Sequence, residues 1–457
     1  MTVFLKRAVR LLITLAVVPL FIPLVLIVAL VCRVTQNIEK PPRLVWGPIP
    51  AISNKYWSRA LEKRGLLSKT LMYPHFRFVT KRDDFDLYTF EVIRRTLLDT
   101  LPLLNKLFKR SLRPTTRPTT LYISFVYALA NFDIFHHPYS GGFLGLTSLW
   151  RLEAFFLKLA KKKVVVLTYG ADYHMYSRIV DTSLRHGLLL SYPVAAREED
   201  RIRARVSYWT KHADAVIPGF QFDGLGRWDV LPFVPFTIDA RQWRPKETYS
   251  GHDGTNSTVK VIHTPNHRGV KGTEFLLKAV EELREEGLKV ELILVERMPN
   301  EEVRRLMAEE ADILAEQFIA TGYAMSGIEG MASGLPVLAN LEHEAYTRVF
   351  RRYSYLNECP ILSTTPETLK ENLRVLVTNP ELREELGRSG RRYAEKYHSE
   401  ETARYMFGAV YEKIWFGKDI DLMNLFHPLK SEYNHHRALV EHPLVENKLP
   451  ASDRAKR

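Results

Sequence analysis

The apolar positions of the chain fall into two kinds of run. Residues 11–32, LLITLAVVPLFIPLVLIVALVC, carry no charge, and as a helix they would be about 33 Å long, against a bilayer core of about 30 Å. From residue 43 onward the runs are short, rich in Val and Ile, and separated by stretches with helical spacing. RLVWGPIP (43–50) predicts a buried strand ending in a Gly-Pro loop, and NKYWSRALEKRG (54–65) predicts a helix closed by glycine. Further strands are predicted at 119–128, 132–137, 163–170, 213–219 and 230–235. The polar stretch KETYSGHDGTNST (246–258) has no period and predicts a linker. The pattern then restarts, with strands at 259–265, 289–296, 311–318, 336–340 and 360–365 and helices between them to about residue 416. Uniformly apolar strands alternating with helices imply parallel, doubly wound sheets covered on both faces.

The expected organisation is a membrane anchor (1–37), an α/β domain (38–245), the linker (246–258), a second α/β domain (259–399), a helix crossing back to the first domain (400–416) and a loosely ordered polar tail (417–457). A length of 457 residues suits two domains, and 46% hydrophobic with 11% aromatic residues excludes a disordered chain. Cys32 and Cys359 are the two cysteines, too few for a disulfide framework and not spaced as metal ligands. The run 11–32 is longer than the core of a signal peptide and no small-x-small site follows it, which favours an anchor over a cleaved leader. Pro19 and Pro23 leave open a broken helix that enters and leaves by one face. Flanking charges do not fix the topology, and the two α/β domains are expected to be cytoplasmic.

Of the net charge of +13, ten charges lie in residues 34–117, which hold seventeen Lys or Arg against seven Asp or Glu. Basicity beside an anchor points to anionic headgroups rather than to nucleic acid. RRTLLDTLPLLNKLFKR (94–110) mixes an apolar stripe with basic residues and suits the membrane interface, or equally an ordinary solvated surface.

Two open α/β domains form a cleft at the carboxyl ends of their strands. In HTPNHRGVKGTE (263–274) a strand runs into a polar loop with Arg268 and Lys271, and Gly272 opens a helix, an arrangement suited to a diphosphate. SGIEGMASGLPVLAN (326–340) reads as a helix carrying Glu329, a turn at Gly334 and a buried strand. His136 and His137 end a strand before a Gly-rich turn, and alternation would send one ring toward the core and the other to the opposite side. No Asp-x-Asp sits at a strand end, so no metal is demanded, and no cofactor is expected.

The segment ADILAEQFIATGYAMSGIEGMASGLPVLAN (311–340) resembles the donor-site signature of GT-B glycosyltransferases, most closely the retaining group called family 4. Asp312, Gly322, Tyr323, Glu329, Met331, Ala332, Gly334, Pro336 and Val337 match it without a gap. The resemblance implies a two-domain GT-B fold and a hexosyltransferase that retains anomeric configuration without a metal. It implies that Glu329 holds the donor ribose, that Arg268, Lys271 and Gly272 meet the diphosphate, and that Thr321 and Gly322 lie by the donor sugar. The family has a glutamate where this chain has Thr321, and many members have a His-Gly turn where this chain has Tyr169, Gly170, Ala171 and Asp172. The role of that histidine would then pass to Asp172 or His137, with Gly47 and Tyr169 on the acceptor side. The expected partners are a nucleotide-sugar donor, a lipid-linked or cell-surface glycan acceptor and membrane lipids. A non-catalytic glycan- or partner-binding relative of the fold is the alternative.

Overall fold

A computed structural model describes residues 2–74, 80–93, 118–170 and 172–450. Its first sheet is wholly parallel, in the order β3-β2-β1-β4-β5-β6, from β1 Leu44–Trp46, β2 Ser68–Met72, β3 Leu87–Tyr88, β4 Ile134–Pro138, β5 Lys163–Leu167 and β6 Ala215–Ile217. The second is also parallel, in the order β11-β10-β9-β7-β8, from β7 Val259–His263, β8 Val290–Leu294, β9 Ile313–Gln317, β10 Val337–Ala339 and β11 Leu362–Ser363. Strand order reverses between β1 and β4 in one sheet and between β7 and β9 in the other. Ligand crevices of open α/β sheets lie at such points.

The helices that position the sites are α1 Thr2–Thr35, α2 Ile52–Glu62, α3 Pro118–Asn131, α4 Glu153–Leu159, α5 Thr182–Ser191, α6 Glu199–His212, α7 Arg268–Lys271, α8 Thr273–Glu285, α9 Met325–Ala332, α10 Pro380–Tyr397 and α11 Glu400–Ile414. Asp181 caps α5 by accepting from the amides of Ser183 and Leu184, and Ser399 caps α11 through Thr402 N. Helix α11 crosses back to the first domain. Lys63 after α2 pairs with Glu400 at 2.6 Å, and Trp415 Nε1 donates to Lys40 O at 3.0 Å. Phe407 meets the Trp46 ring edge-on at 5.0 Å. His136 donates from Nδ1 to Val45 O, so its Nε2 accepts from the Tyr411 hydroxyl at 2.8 Å. Two parallel α/β domains bound by a returning C-terminal helix form the GT-B arrangement.

The structure corrects four expectations. Residues 119–128 lie in helix α3 rather than a strand, because Leu121, Phe125, Ala128 and Leu129 recur at helical spacing and are buried, which overrides the β preference of Tyr, Ile and Val. Residues 230–235 form no strand: Val230, Leu231, Phe233 and Val234 are buried, but Pro232 and Pro235 lack the amides a ladder needs. The short β2 and β3 escaped notice because their sequences, SKTLM and LY, are mixed or brief. Residues 417–450 are packed rather than loose. Leu422, Leu425, Phe426 and Tyr433 are buried, and the Asn447 side chain donates to Cys359 O and Ile361 O. Leu422, Leu425 and Phe426 stand at helical spacing, but Pro428 interrupts the run and no helix spans it. The stretch 94–110 lies outside the described residues.

Candidate functional site

At the second switch point the chain leaves β7, passes through α7 and enters α8 at Gly272, whose φ of +74° places it in the left-handed region that suits glycine. His263 closes β7, bonded to Ala315 O at 2.7 Å and to Thr273 Oγ1 at 2.9 Å. Lys271 is buried, and its amine pairs with the buried Glu316 carboxylate and donates to Gln317 Oε1 at 3.1 Å. Glu316 Oε1 also accepts from Ser326 Oγ at 2.7 Å, while Oε2 has no hydrogen-bond partner among the described residues. Arg268 is exposed and held by Glu296 at 2.9 Å and Glu274 at 2.8 Å. Both cations expected at a diphosphate are therefore matched by carboxylates. Glu316 was missed, although a charge inside the apolar run ILAEQF was a signal for it.

Glu329 lies half-buried on α9, and desolvation pushes its carboxyl up to about 8, against the opposing pull of Asn300, Arg304 and Lys271. Tyr56 on α2 faces it across the cleft, and its phenol is pushed up to about 12 by burial and by the Glu329 charge. Thr321 is buried, its carbonyl accepting from Gln221 Nε2 at 3.0 Å and its hydroxyl unpartnered among the described residues. Gly322, at φ +98°, lies under the Phe220 ring, which occupies the place of any larger side chain. A Cβ on Gly269 would come within 2.9 Å of Leu190 Cβ, so α5 presses on α7. Tyr323 is structural: its hydroxyl bonds Tyr393 and His398 at 2.8 Å, and all three are buried.

At the first switch point, a pocket of about 230 Å³ is lined by Tyr73, Ser140, Gly141, Gly145, Asp172 and Arg205, among others. Asp172 accepts from the amides of Tyr139 at 2.9 Å and Tyr169 at 3.0 Å, and burial raises its carboxyl to about 6. Tyr169 donates to Asn54 Oδ1 and packs on Trp57. Gly47, at φ +152°, passes against Leu71 O, where no Cβ fits. His137 is not among the residues that line this pocket. It is buried edge-on to Trp209 at 4.2 Å, bonds Pro138 O at 2.9 Å, and desolvation lowers its pKa to about 4. Alternation failed there because both faces of this sheet are covered.

Two residues the sequence did not suggest hold the loop that forms the pocket wall. Arg205 donates to Ser140 O and, at 2.7 Å, to Gly145 O. Glu153, fully buried, accepts from Leu144 N at 3.2 Å, and burial raises its carboxyl to about 8. Among the described residues, no group of three or more His, Cys, Asp or Glu is placed to hold a metal ion.

No protein-family model and no curated protein matches the chain. Solved structures similar to it include Anabaena HepE in complex with UDP, at a TM-score of 0.46 and 14% identity over 80% of this chain and 98% of that one. The catalytic domain of starch synthase IV from Arabidopsis thaliana, bound to ADP and acarbose, gives 0.44 and 9% over 82% and 100%. S. aureus MnaA with UDP gives 0.39 and 12% over 83% and 97%. The fold assignment rests on the strand orders themselves.

Proposed function

We propose that the protein is a membrane-associated glycosyltransferase that moves a hexose-type sugar, with retention, from a nucleotide donor to a lipid-linked or cell-surface glycan. The observation that carries this reading is the position of Glu329. It stands on the helix that follows β9 at the second switch point, facing the first domain across the cleft, where a carboxyl can meet a ribose diol. Lys271 and the amino end of α8 would stabilise the departing diphosphate, and Asp172 at the first-domain pocket would meet the acceptor hydroxyl. Donor entry would require α5 and Phe220 to withdraw from α7 and Gly322. A non-catalytic role as a glycan- or partner-binding protein is a second reading, favoured by the engagement of Lys271 with Glu316 and by the burial of Thr321.

Thermal shift and calorimetry of the full chain with UDP, GDP, ADP and CMP separate the two. The first reading expects saturable stabilisation by one nucleotide, about 2.7 kcal/mol at 100 times its Kd, and its loss in Glu329→Ala. A folded protein that answers to none of the four supports the second.

A further inference from the structure

Helix α1 has two opposed faces, and they meet different surroundings. Phe21, Val25, Ala29 and Cys32 are buried. The Phe21 ring lies 4.7 Å from Tyr122 on α3 and 6.2 Å from Phe156 on α4, and Cys32 Sγ donates to Leu129 O at 3.4 Å. Arg33 and Gln36 then bolt the end of the helix to the carbonyls of Leu159 and Lys161 at 3.4 and 3.0 Å. The other stripe, Leu20, Leu24, Ile27, Val31 and Val34, is 50–85% exposed. At 100° per residue the two stripes are centred roughly 135° apart. The window Val18–Thr35 has a mean hydropathy of 2.4, and the exposed stripe consists of Leu, Ile and Val. Phe155, also exposed, lies one turn before Leu159 on α4 and extends the apolar surface onto the domain. Exposed Arg33, Lys158 and Lys161 border it.

A helix free to cross a bilayer is wrapped by lipid all round. Here one flank of residues 21–32 is occupied by a folded domain, so lipid can reach only the other. Laid flat, the same helix puts its outer stripe into the acyl boundary and leaves Arg33, Lys158 and Lys161 at the level of anionic headgroups. The domain supplies the polar side that the helix lacks.

We infer that residues 18–35 of α1 lie in the plane of an anionic membrane surface, docked on the first domain by one stripe and inserted into lipid by the other. This rests on the membrane reading above. The first domain is then seated on the bilayer rather than tethered to it.

The test uses the full chain with Cys32→Ala and Cys359→Ala, bound to phosphatidylethanolamine vesicles containing phosphatidylglycerol. Single cysteines at Leu20, Leu24, Ile27, Val31 and Val34 carry an environment-sensitive fluorophore, read against lipids with nitroxides at shallow and deep acyl positions. A second variant, Phe21→Cys with Tyr122→Cys, is treated with a short thiol cross-linker on the same vesicles. The expected result is a blue shift at all five positions, loss of emission to the shallow nitroxide with little loss to the deep one, and cross-linking of the pair. A depth that runs through the bilayer centre along the series overturns the inference in favour of a spanning helix. Quenching without cross-linking overturns it in favour of a detached tether. Cross-linking without quenching on bound vesicles means that something other than lipid, such as a second copy of the chain, covers the stripe. Failure to bind vesicles at all removes the membrane reading itself.

Discussion

Each domain buries a glutamate near the carboxyl ends of its strands, and the two are held in opposite ways. Glu316 in the second domain is bonded to the Lys271 amine and the Ser326 hydroxyl. Glu153 in the first touches backbone amides, and without a cation in hydrogen-bond contact its carboxyl is raised to about 8. A paired carboxylate ties up a cation that an anionic ligand would need. An unpaired one makes its loop sensitive to pH.

The largest effect that follows is at Glu316. Replacing it with Leu leaves Lys271 charged and buried, and a loss of about 3–5 kcal/mol in urea unfolding is expected. Lys271→Met combined with Glu316→Leu should recover most of that loss, since no orphaned charge remains. Equal losses in the single and double variants would show that the pair matters for shape rather than charge.

Glu153 gives the next largest effect, in the pH profile. Its folded pKa lies above the ordinary 4.5, so its contribution is full below about pH 4.5 and is lost as pH rises toward 8. Stability should fall by on the order of 4 kcal/mol between pH 5 and 8 on this account. Glu153→Gln should remove that share of the fall and leave the shares of Glu329 and Asp172, whose carboxyls are also raised, and an unchanged slope would place the titration elsewhere. Arg268 sharpens the contrast from the other end. It is exposed between two carboxylates, so Arg268→Gln should leave the unfolding midpoint where it is, at low and at high salt.

The second domain was the more legible of the two because its site is written locally. Residues 313–339 supply β9, α9 and β10 in immediate succession, so the period of apolar positions and the turn at Gly334 fix where Glu329 stands. The first-domain site depends on partners distant in sequence. Nothing near His137 announces that Trp209 will cover it, and Glu153 and Arg205 sit on helices whose charges read as solvated faces. Lys271 stands in the short helix after β7, and its pairing with Glu316 depends on β7 and β9 being neighbours, which spacing alone does not reveal. The closing loops around Gln221 and Phe220 have no period at all.

The bond from Tyr411 to His136 bears on biosynthesis. Its two ends are 275 residues apart, so at 5–20 residues per second roughly 14–55 s pass between synthesis of the one and of the other. Through that interval the Trp46 and His136 rings wait without Phe407 and Tyr411 to cover them. The first domain leaves the ribosome early and is completed only after most of the second has been made.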